Sequence, residues 1–378
     1  MRILHTVPQA DGYAMPAEFE HHQGCLMIWP ERTDSWRSGA WPARKAFVQT
    51  AAVIAQTEEV TMLVSAAQYE TARSMLPPEV RLVEMSTDDA WARDVCPTFV
   101  RSQDKTTIRG VDWGFNAWGG LEDGLYFPWD KDNHVARKVC DLYRTDCYDC
   151  RDFILEGGSI HSDGAGTILT TESCLCSKGR NPSRTKEEIS DKLCAMLGAK
   201  KILWLPRGIY GDETNEHVDN ICAFAEPGKV VLAWTDDPSD PQYPLSKACE
   251  DYLRQQTDAR GEKLQIVHLP IPKTPVCVSK SACEELDLWD GMPTRIPGER
   301  LAASYVNFYI ANHAILLPQF HDPMDRQAQS ILADCFPERD IIPIDAREIL
   351  LGGGNLHCIT QQIPETKPIG KERTGCEA

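Results

Sequence analysis

The chain has 378 residues, 42% of them hydrophobic and 25% charged, with 39 Lys and Arg against 56 Asp and Glu and a formal charge of −17. That composition excludes collagen, coiled coil and wholesale disorder. The acidic balance argues against a nucleic-acid or anionic-membrane partner, whose phosphates need clustered Lys and Arg, and leaves room for a cationic one.

Residues 1–13 carry Arg2, His5, Gln9 and Asp11 without an apolar run of signal-peptide length, and no stretch reaches the ~18 apolar residues of a membrane span, so a cytoplasmic protein is expected. Residues 43–56 read as a helix, 60–65 as a strand, 68–75 as a helix and 80–85 as a strand. Residues 186–197 repeat apolar side chains at Ile189, Leu193, Met196 and Leu197 and stop at Gly198, a usual helix C-terminal signal. Residues 201–205, 222–224, 230–234 and 314–318 are further short strands. Residues 269–275 alternate apolar residues with proline and read as an irregular connection. Residues 279–299 are polar and punctuated by Gly and Pro, a long surface excursion of the kind that carries lids or oligomer contacts. Many short strands with interspersed helices and no long parallel run predict an α/β fold of small mixed units. No linker interrupts the chain, so residues 1–378 are expected to form one domain.

Fifteen scattered cysteines suit free thiols in a reducing compartment better than a disulfide framework. Cys147 and Cys150 make one C-x-x-C, but no second pair or closely spaced histidines complete a zinc set. Two echoes suggest repeated strand-turn units about an axis: L-E-G-G-S-I-H (155–161) with L-G-G-G-N-L-H (351–357), and H-V-D-N-I-C-A-F (217–224) with Y-V-N-F-Y-I-A-N (305–312).

Polar clusters at the edges of strand-like runs hold the candidate chemistry. They lie at 88–94, 156–161, 212–219 and 352–358. Cys358 follows a triple glycine that can expose a thiol and bring backbone close to a ligand. A nucleophilic thiol needs a cation and a proton-transfer partner. His217 fits that part, since strand alternation in 217–219 would put Asp219 on the same face, and Glu156 could orient or charge the imidazole. His161 and His357 are rival bases, but His357 adjoins Cys358 on what reads as a strand and should point away from the pocket. Asp94 and Asp219 could act as an acid/base pair, hold a metal or grip a cation; no H-x-x-x-H or D-x-D core favours the metal.

The segments W-A-R-D (91–94), E-G-G-S-I-H (156–161), G-D-E-T-N-E-H-V-D-N (211–220) and L-G-G-G-N-L-H-C-I-T-Q-Q-I-P (351–364) resemble the agmatine deiminase family. So do M-P-A-E-F-E (15–20), W-P-E-R (29–32), E-S-C-L-C-S-K-G-R-N-P (172–182), W-T-D-D-P-S-D-P-Q-Y (234–243) and R-L-A-A-S-Y-V-N-F-Y-I-A-N (300–312). The sequence departs from the family at Glu216 and Cys96, where relatives commonly carry Gly.

The resemblance implies a guanidine-modifying enzyme on a five-bladed, pseudo-fivefold α/β propeller of ββαβ-type units. It implies Cys358 as nucleophile, His217 as general acid/base, Glu156 as its partner, and Asp94 and Asp219 as the carboxylates that grip a guanidinium. Trp91, Trp118, in the motif F-N-A-W-G-G (115–120), Glu213 and Gly353 are the candidates to line the pocket and meet the substrate's distal end. No metal or organic cofactor is implied. The expected partners are agmatine and further copies of the chain, as a dimer or tetramer. An arginine or peptidyl-arginine deiminase is the alternative on the same fold; secreted forms of the latter would be expected to carry a signal peptide.

Overall fold

A computed structural model describes residues 1–367. Its strands form five sheets, and the same motif recurs in each: a first strand antiparallel to a second, then a helix, then a third strand parallel to the second. The motif runs Thr98–Ser102, Ile108–Gly114 and Cys147–Ile154 in one sheet. It runs His161–Ser162, Thr167–Thr171 and Lys201–Leu205 in the next. Cys222–Glu226, Lys229–Trp234 and Gln265–Pro270 make the third, and Tyr309–Ile310, Ala314–Gln319 and Asp340–Asp345 the fourth. In the fifth, the late strand Gln361–Pro364 pairs with His22–Ile28, which pairs with Glu59–Val64, so an early and a late segment of the chain share one sheet.

Helices Val135–Leu142, Lys186–Leu197, Gln242–Leu253, Asp325–Cys335 and Trp41–Ile54 make the crossovers that parallel pairing requires. Helix Lys186–Leu197 has the predicted bounds, and its reasons are local. Thr185 and Glu188 form a capping box, Gly198 closes the end at φ +62°, and Ile189, Leu193, Met196 and Leu197 face inward. Helix Trp41–Ile54 likewise buries Ala43, Phe47, Ala51 and Ile54. Each fully buried large apolar side chain contributes about 1.5–3 kcal/mol.

Three expectations change. Residues 265–270 continue as a strand into the proline-rich stretch, because Gln265–Pro270 is an edge strand, where proline's missing N–H costs no ladder bond. The 279–299 excursion contains a short helix, Lys280–Glu284, and turns inward to bury Arg295. Residues 217–219 are not a strand: His217 precedes a single helical turn, Val218–Ile221. The cause is Asp212, whose carboxylate accepts the His217 N–H at 3.1 Å and the Asn220 amide at 2.9 Å, fixing the turn before the strand begins.

All fourteen cysteines among the described residues are free; Cys376 lies outside them. Cys147 and Cys150 sit three residues apart on one strand and so point to opposite faces of their sheet, which rules out a shared metal. Among the described residues no helix is long and apolar enough to cross a membrane.

Candidate active site

The recurrent motif aims one polar side chain from each sheet at a common region. The segments entering the five first strands carry, in chain order, Asp94, Glu156, Asp219, Asn307 and Cys358. Asp94 sits on the turn Ala92–Val95, and its carboxylate accepts the Trp118 indole N–H at 2.9 Å and the Gly158 N–H at 2.8 Å. Gly158 is the point of closest approach. A Cβ there would lie 2.6 Å from His217 Nδ1, 2.9 Å from Asp219 Oδ2 and 3.1 Å from Asp94 Oδ1. Only glycine lets three charged side chains converge on that backbone.

Cys358 lies in the turn before Gln361–Pro364. Its Sγ is 3.3 Å from Asn307 Nδ2 and 3.5 Å from Asp219 Oδ2. The preceding glycines have steric reasons. A Cβ on Gly352 would come within 2.5 Å of the Trp36 ring and one on Gly354 within 2.4 Å of the Trp91 ring, while Gly353 adopts φ +116°. Arg93 joins this turn to the Asp94 turn: its backbone N–H reaches the Cys358 carbonyl at 3.1 Å and its Nε the His357 carbonyl at 3.3 Å.

Cys358, His217, Asp94, Trp91, Trp118 and Gly353 line one cleft. Trp91, Trp118 and Gly352 also line a wider vestibule outside it, together with Glu213 and Arg295. Trp118 is thus a wall of both spaces. It stands edge-on to Trp91 and Phe115 and holds φ +66°, a conformation costly for a bulky residue and concentrated at ligand sites. Glu213 is bound to Arg295 at 2.6 Å. Glu216, at one of the departures from the family, takes φ +70°, which glycine accepts more readily; Arg207 and the Gly208 N–H hold its carboxylate.

Burial dominates the electrostatics, and the neighbours decide each sign. The Cys358 thiol is pushed well above its ordinary range, by burial first and then by Asp219 and Asp94. Burial alone would depress His217, but Asp94, Cys174 and Glu156 outweigh it and keep the imidazolium well above its usual pKa. Glu156 Oε2 lies 3.6 Å from His217 Nε2. Against its own burial, Glu156 is kept ionised by Arg180, at 2.8 Å, and by His217. Asp94 is raised by burial and by Asp219 and Glu156, whereas Asp219 is lowered, despite burial, by its hydrogen bond to His357 and by the charges of His357, His217 and Arg93.

Four residues that the sequence reading passed over complete the arrangement. Arg180 pairs with Glu156 and donates to the Trp118 carbonyl, to Asn215 Oδ1 at 2.8 Å and to the Thr214 carbonyl at 2.9 Å. Asn307 contacts Cys358 and donates to Asn220 Oδ1 at 3.0 Å. Glu18 and Arg93 form a buried pair at 3.2 Å beneath the cleft. All four lie inside segments that carry the family resemblance, which was the available signal. His357 does leave the cleft surface, as expected, but not into neutral surroundings. Residues 356–358 form a turn rather than a strand, so His357 Nδ1 meets Asp219 Oδ2 at 2.9 Å and its Nε2 meets Glu18 Oε2 at 2.9 Å.

Two groups have ligand-type atoms close enough to hold a metal: Glu18, His161 and His357, and Glu156, Cys174 and His217. In both, an arginine already stands against the carboxylate, Arg93 in one and Arg180 in the other, so a metal ion would meet cationic repulsion.

Residues 14–364 match the Porphyromonas-type peptidyl-arginine deiminase family. A protein of Pseudomonas aeruginosa (strain LESB58) named agmatine deiminase is 51% identical over 360 residues, which are 95% of this chain and 97% of that one. The solved agmatine deiminase of Enterococcus faecalis is 45% identical with a TM-score of 0.93, covering 96% of this chain and 99% of its own. A C. jejuni agmatine deiminase solved with substrate bound is 25% identical with a TM-score of 0.80, covering 94% of this chain and 97% of that one.

Proposed function

The chain belongs to the Porphyromonas-type peptidyl-arginine deiminase family and, within it, to the agmatine deiminases, hydrolases that act on amidino groups; from that premise we propose that it converts agmatine and water to N-carbamoylputrescine and ammonia. The observation that carries the proposal is one tryptophan-walled cleft lined by the Cys358 thiol, the His217 imidazole and the Asp94 carboxylate, with the Asp219 carboxylate behind it 3.5 Å from the thiol.

Asp94 and Asp219 take the planar N–H fork of the guanidinium through charge-assisted hydrogen bonds, each worth about 1.5–3 kcal/mol. Asp219 Oδ1, buried without a partner among the described residues, is an acceptor available for this. The substrate's charge cancels the two acids that hold the Cys358 proton on, so the thiol releases that proton to solvent as the cation binds and the thiolate forms. Sγ attacks the guanidinium carbon. The tetrahedral intermediate expels ammonia, which takes the proton of imidazolium His217, and an amidino-thioether remains. Neutral His217 then accepts one proton from water as it attacks the same carbon; the C–S bond breaks, the hydroxyl of the intermediate gives its proton to the departing thiolate, and the ureido product leaves the thiol and the imidazolium restored. Glu156 and Arg180 hold His217 in place throughout.

We also propose that the five ββαβ motifs are blades of a pseudo-fivefold propeller and that residues 1–378 form one catalytic domain. The support is that every sheet sends a residue to the same region.

The test is ammonia release from agmatine, arginine and a blocked peptidyl-arginine, with mass spectrometry of the quenched enzyme. Agmatine is the preferred substrate, an amidino adduct appears on Cys358, and Cys358→Ala shows neither turnover nor adduct. Equal turnover of arginine would remove the specificity, and a turning-over Cys358→Ala would remove the mechanism.

A further inference from the structure

The vestibule contains a guanidinium of its own. Arg295 comes from the long 279–299 excursion and is only 7% exposed. Its Nε donates to the Leu351 carbonyl at 2.9 Å and its Nη1 to Glu213 Oε1 at 2.6 Å; a second acid, Glu299, stands 4.0 Å from Nη1. Neither Nη2 of Arg295 nor Oε2 of Glu213 has a hydrogen-bond partner among the described residues. Both atoms border Gly353, which lines the inner cleft: a Cβ there would lie 3.1 Å from Nη2 and 3.4 Å from Oε2. The donor and the acceptor therefore stand side by side where the far end of a substrate held at Cys358 emerges.

We propose that Arg295 is a specificity residue, a carboxylate-binding group kept masked by Glu213. The inference rests on the functional reading above and deepens it. Agmatine and arginine share a guanidinium and an alkyl chain and differ in one group, the α-carboxylate. A buried guanidinium with a free N–H is a good receptor for that carboxylate. Glu213 cancels its charge, and the free Oε2 repels an incoming carboxylate while accepting from an ammonium. The pair thus favours the cationic tail by attraction and disfavours the amino acid by repulsion, the two ways in which specificity is built. Removing the negative member leaves a desolvated cation with only Glu299, at 4.0 Å, to compensate it, which raises its demand for an external anion.

The experiment compares kcat/KM for agmatine and arginine in wild type, Glu213→Gln and Glu213→Gln/Arg295→Gln. The glutamine keeps an oxygen that accepts from Arg295 Nη1, removes the charge and turns the free acceptor into an uncharged NH2. In the single variant the arginine-to-agmatine ratio rises about a hundredfold, roughly tenfold from each substrate. In the double variant it falls back to roughly tenfold, the part due to agmatine's lost partner remaining. Because Arg295 also holds the Leu351 carbonyl, the double variant could fail to fold, so a second measurement uses the single variant alone. Norleucine, which has the alkyl chain and carboxylate without a guanidinium, competes with agmatine in Glu213→Gln and not in wild type. An unchanged ratio, a ratio that stays near a hundredfold in the double variant, or no competition by norleucine overturns the inference. A wild type inactive on agmatine overturns the functional reading instead.

Discussion

The imidazoles of His161 and His357 stack with centroids 6.2 Å apart and planes 25° from parallel, and both face the Glu18 carboxylate. Two imidazolium rings so close would repel, and the surroundings resolve the conflict unequally. His357 lies between Glu18 and Asp219, which raise its pKa against burial and Arg93. His161 is driven down to about 4 by burial, by His357 and by Arg93, with Glu18 opposing. Its tautomer agrees, since Nδ1 accepts the Phe224 N–H at 3.4 Å and the proton is left on Nε2 towards Glu18.

A pH dependence of stability follows. His161 binds a proton near 6.5 when unfolded and only near 4 when folded, so its contribution is fully present above pH 6.5 and is lost as pH falls towards 4. Between pH 7 and 5 the loss is about 2 kcal/mol. His161→Asn keeps an acceptor and a donor but cannot titrate. Denaturant unfolding at the two pH values should show the variant losing about 2 kcal/mol less than wild type; parallel losses would mean that His161 takes up its proton over the same pH range folded as unfolded.

Gly158→Ala tests the convergence of charge. The added methyl would stand 2.6 Å from His217 Nδ1 and within 3.1 Å of Asp94 and Asp219, so all three must move. A displacement of about 1 Å in such a site costs on the order of a hundredfold in rate. Steady-state assays should show kcat/KM for agmatine down by about that factor, with the fold retained by circular dichroism. Near-wild-type activity would mean that these side chains need not hold their present positions.

Asp94→Asn tests what keeps Cys358 protonated. Asp94 is one of the two carboxylates that raise the thiol, after burial itself. With it neutral, the thiol loses its proton at lower pH, although His217 loses some of the support for its own charge. Iodoacetamide inactivation, followed by mass spectrometry of Cys358 against pH, should have its midpoint shifted down in the variant. An upward shift would mean that the weakened imidazolium matters more to the thiol than the lost carboxylate.

The parts legible in the sequence were those with local causes. The helix Lys186–Leu197 was readable because its caps and apolar face all lie between Thr185 and Gly198. Asp94, Glu156, His217, Asp219 and Cys358, which the structure brings close together, stood out as candidates because each sits in a short polar segment before a strand, and those segments match a family. The geometry of 217–219 was missed because it depends on where the Asp212 side chain binds, not on the apolar pattern. Glu18 was missed because its partner His357 is 339 residues away, and Arg93 because it reaches Gln362 across 269 residues. Nothing in the triple glycine announces that Gly352 and Gly354 yield space to Trp36 and Trp91.

Arg180 gives the sharpest separation of structure from chemistry. Its guanidinium and the Glu156 carboxylate are both fully buried, 2.8 Å apart. Removing one member of such a pair strands the other charge at a cost of about 3–5 kcal/mol. Arg180→Gln should therefore unfold at markedly lower denaturant. It should also titrate differently: Glu156 is kept ionised chiefly by Arg180, with His217 second. Without the arginine, Glu156 takes up a proton more readily and ceases to support the His217 imidazolium. On the proposed mechanism, the alkaline limb of kcat, where His217 loses the proton destined for ammonia, then moves to lower pH. The double variant Arg180→Gln/Glu156→Gln removes both charges and should regain much of the lost stability while keeping the shifted pH profile. Recovery of both together would assign Arg180 to scaffolding alone, and recovery of neither would mean that its bonds to Trp118, Thr214 and Asn215 outweigh the ion pair.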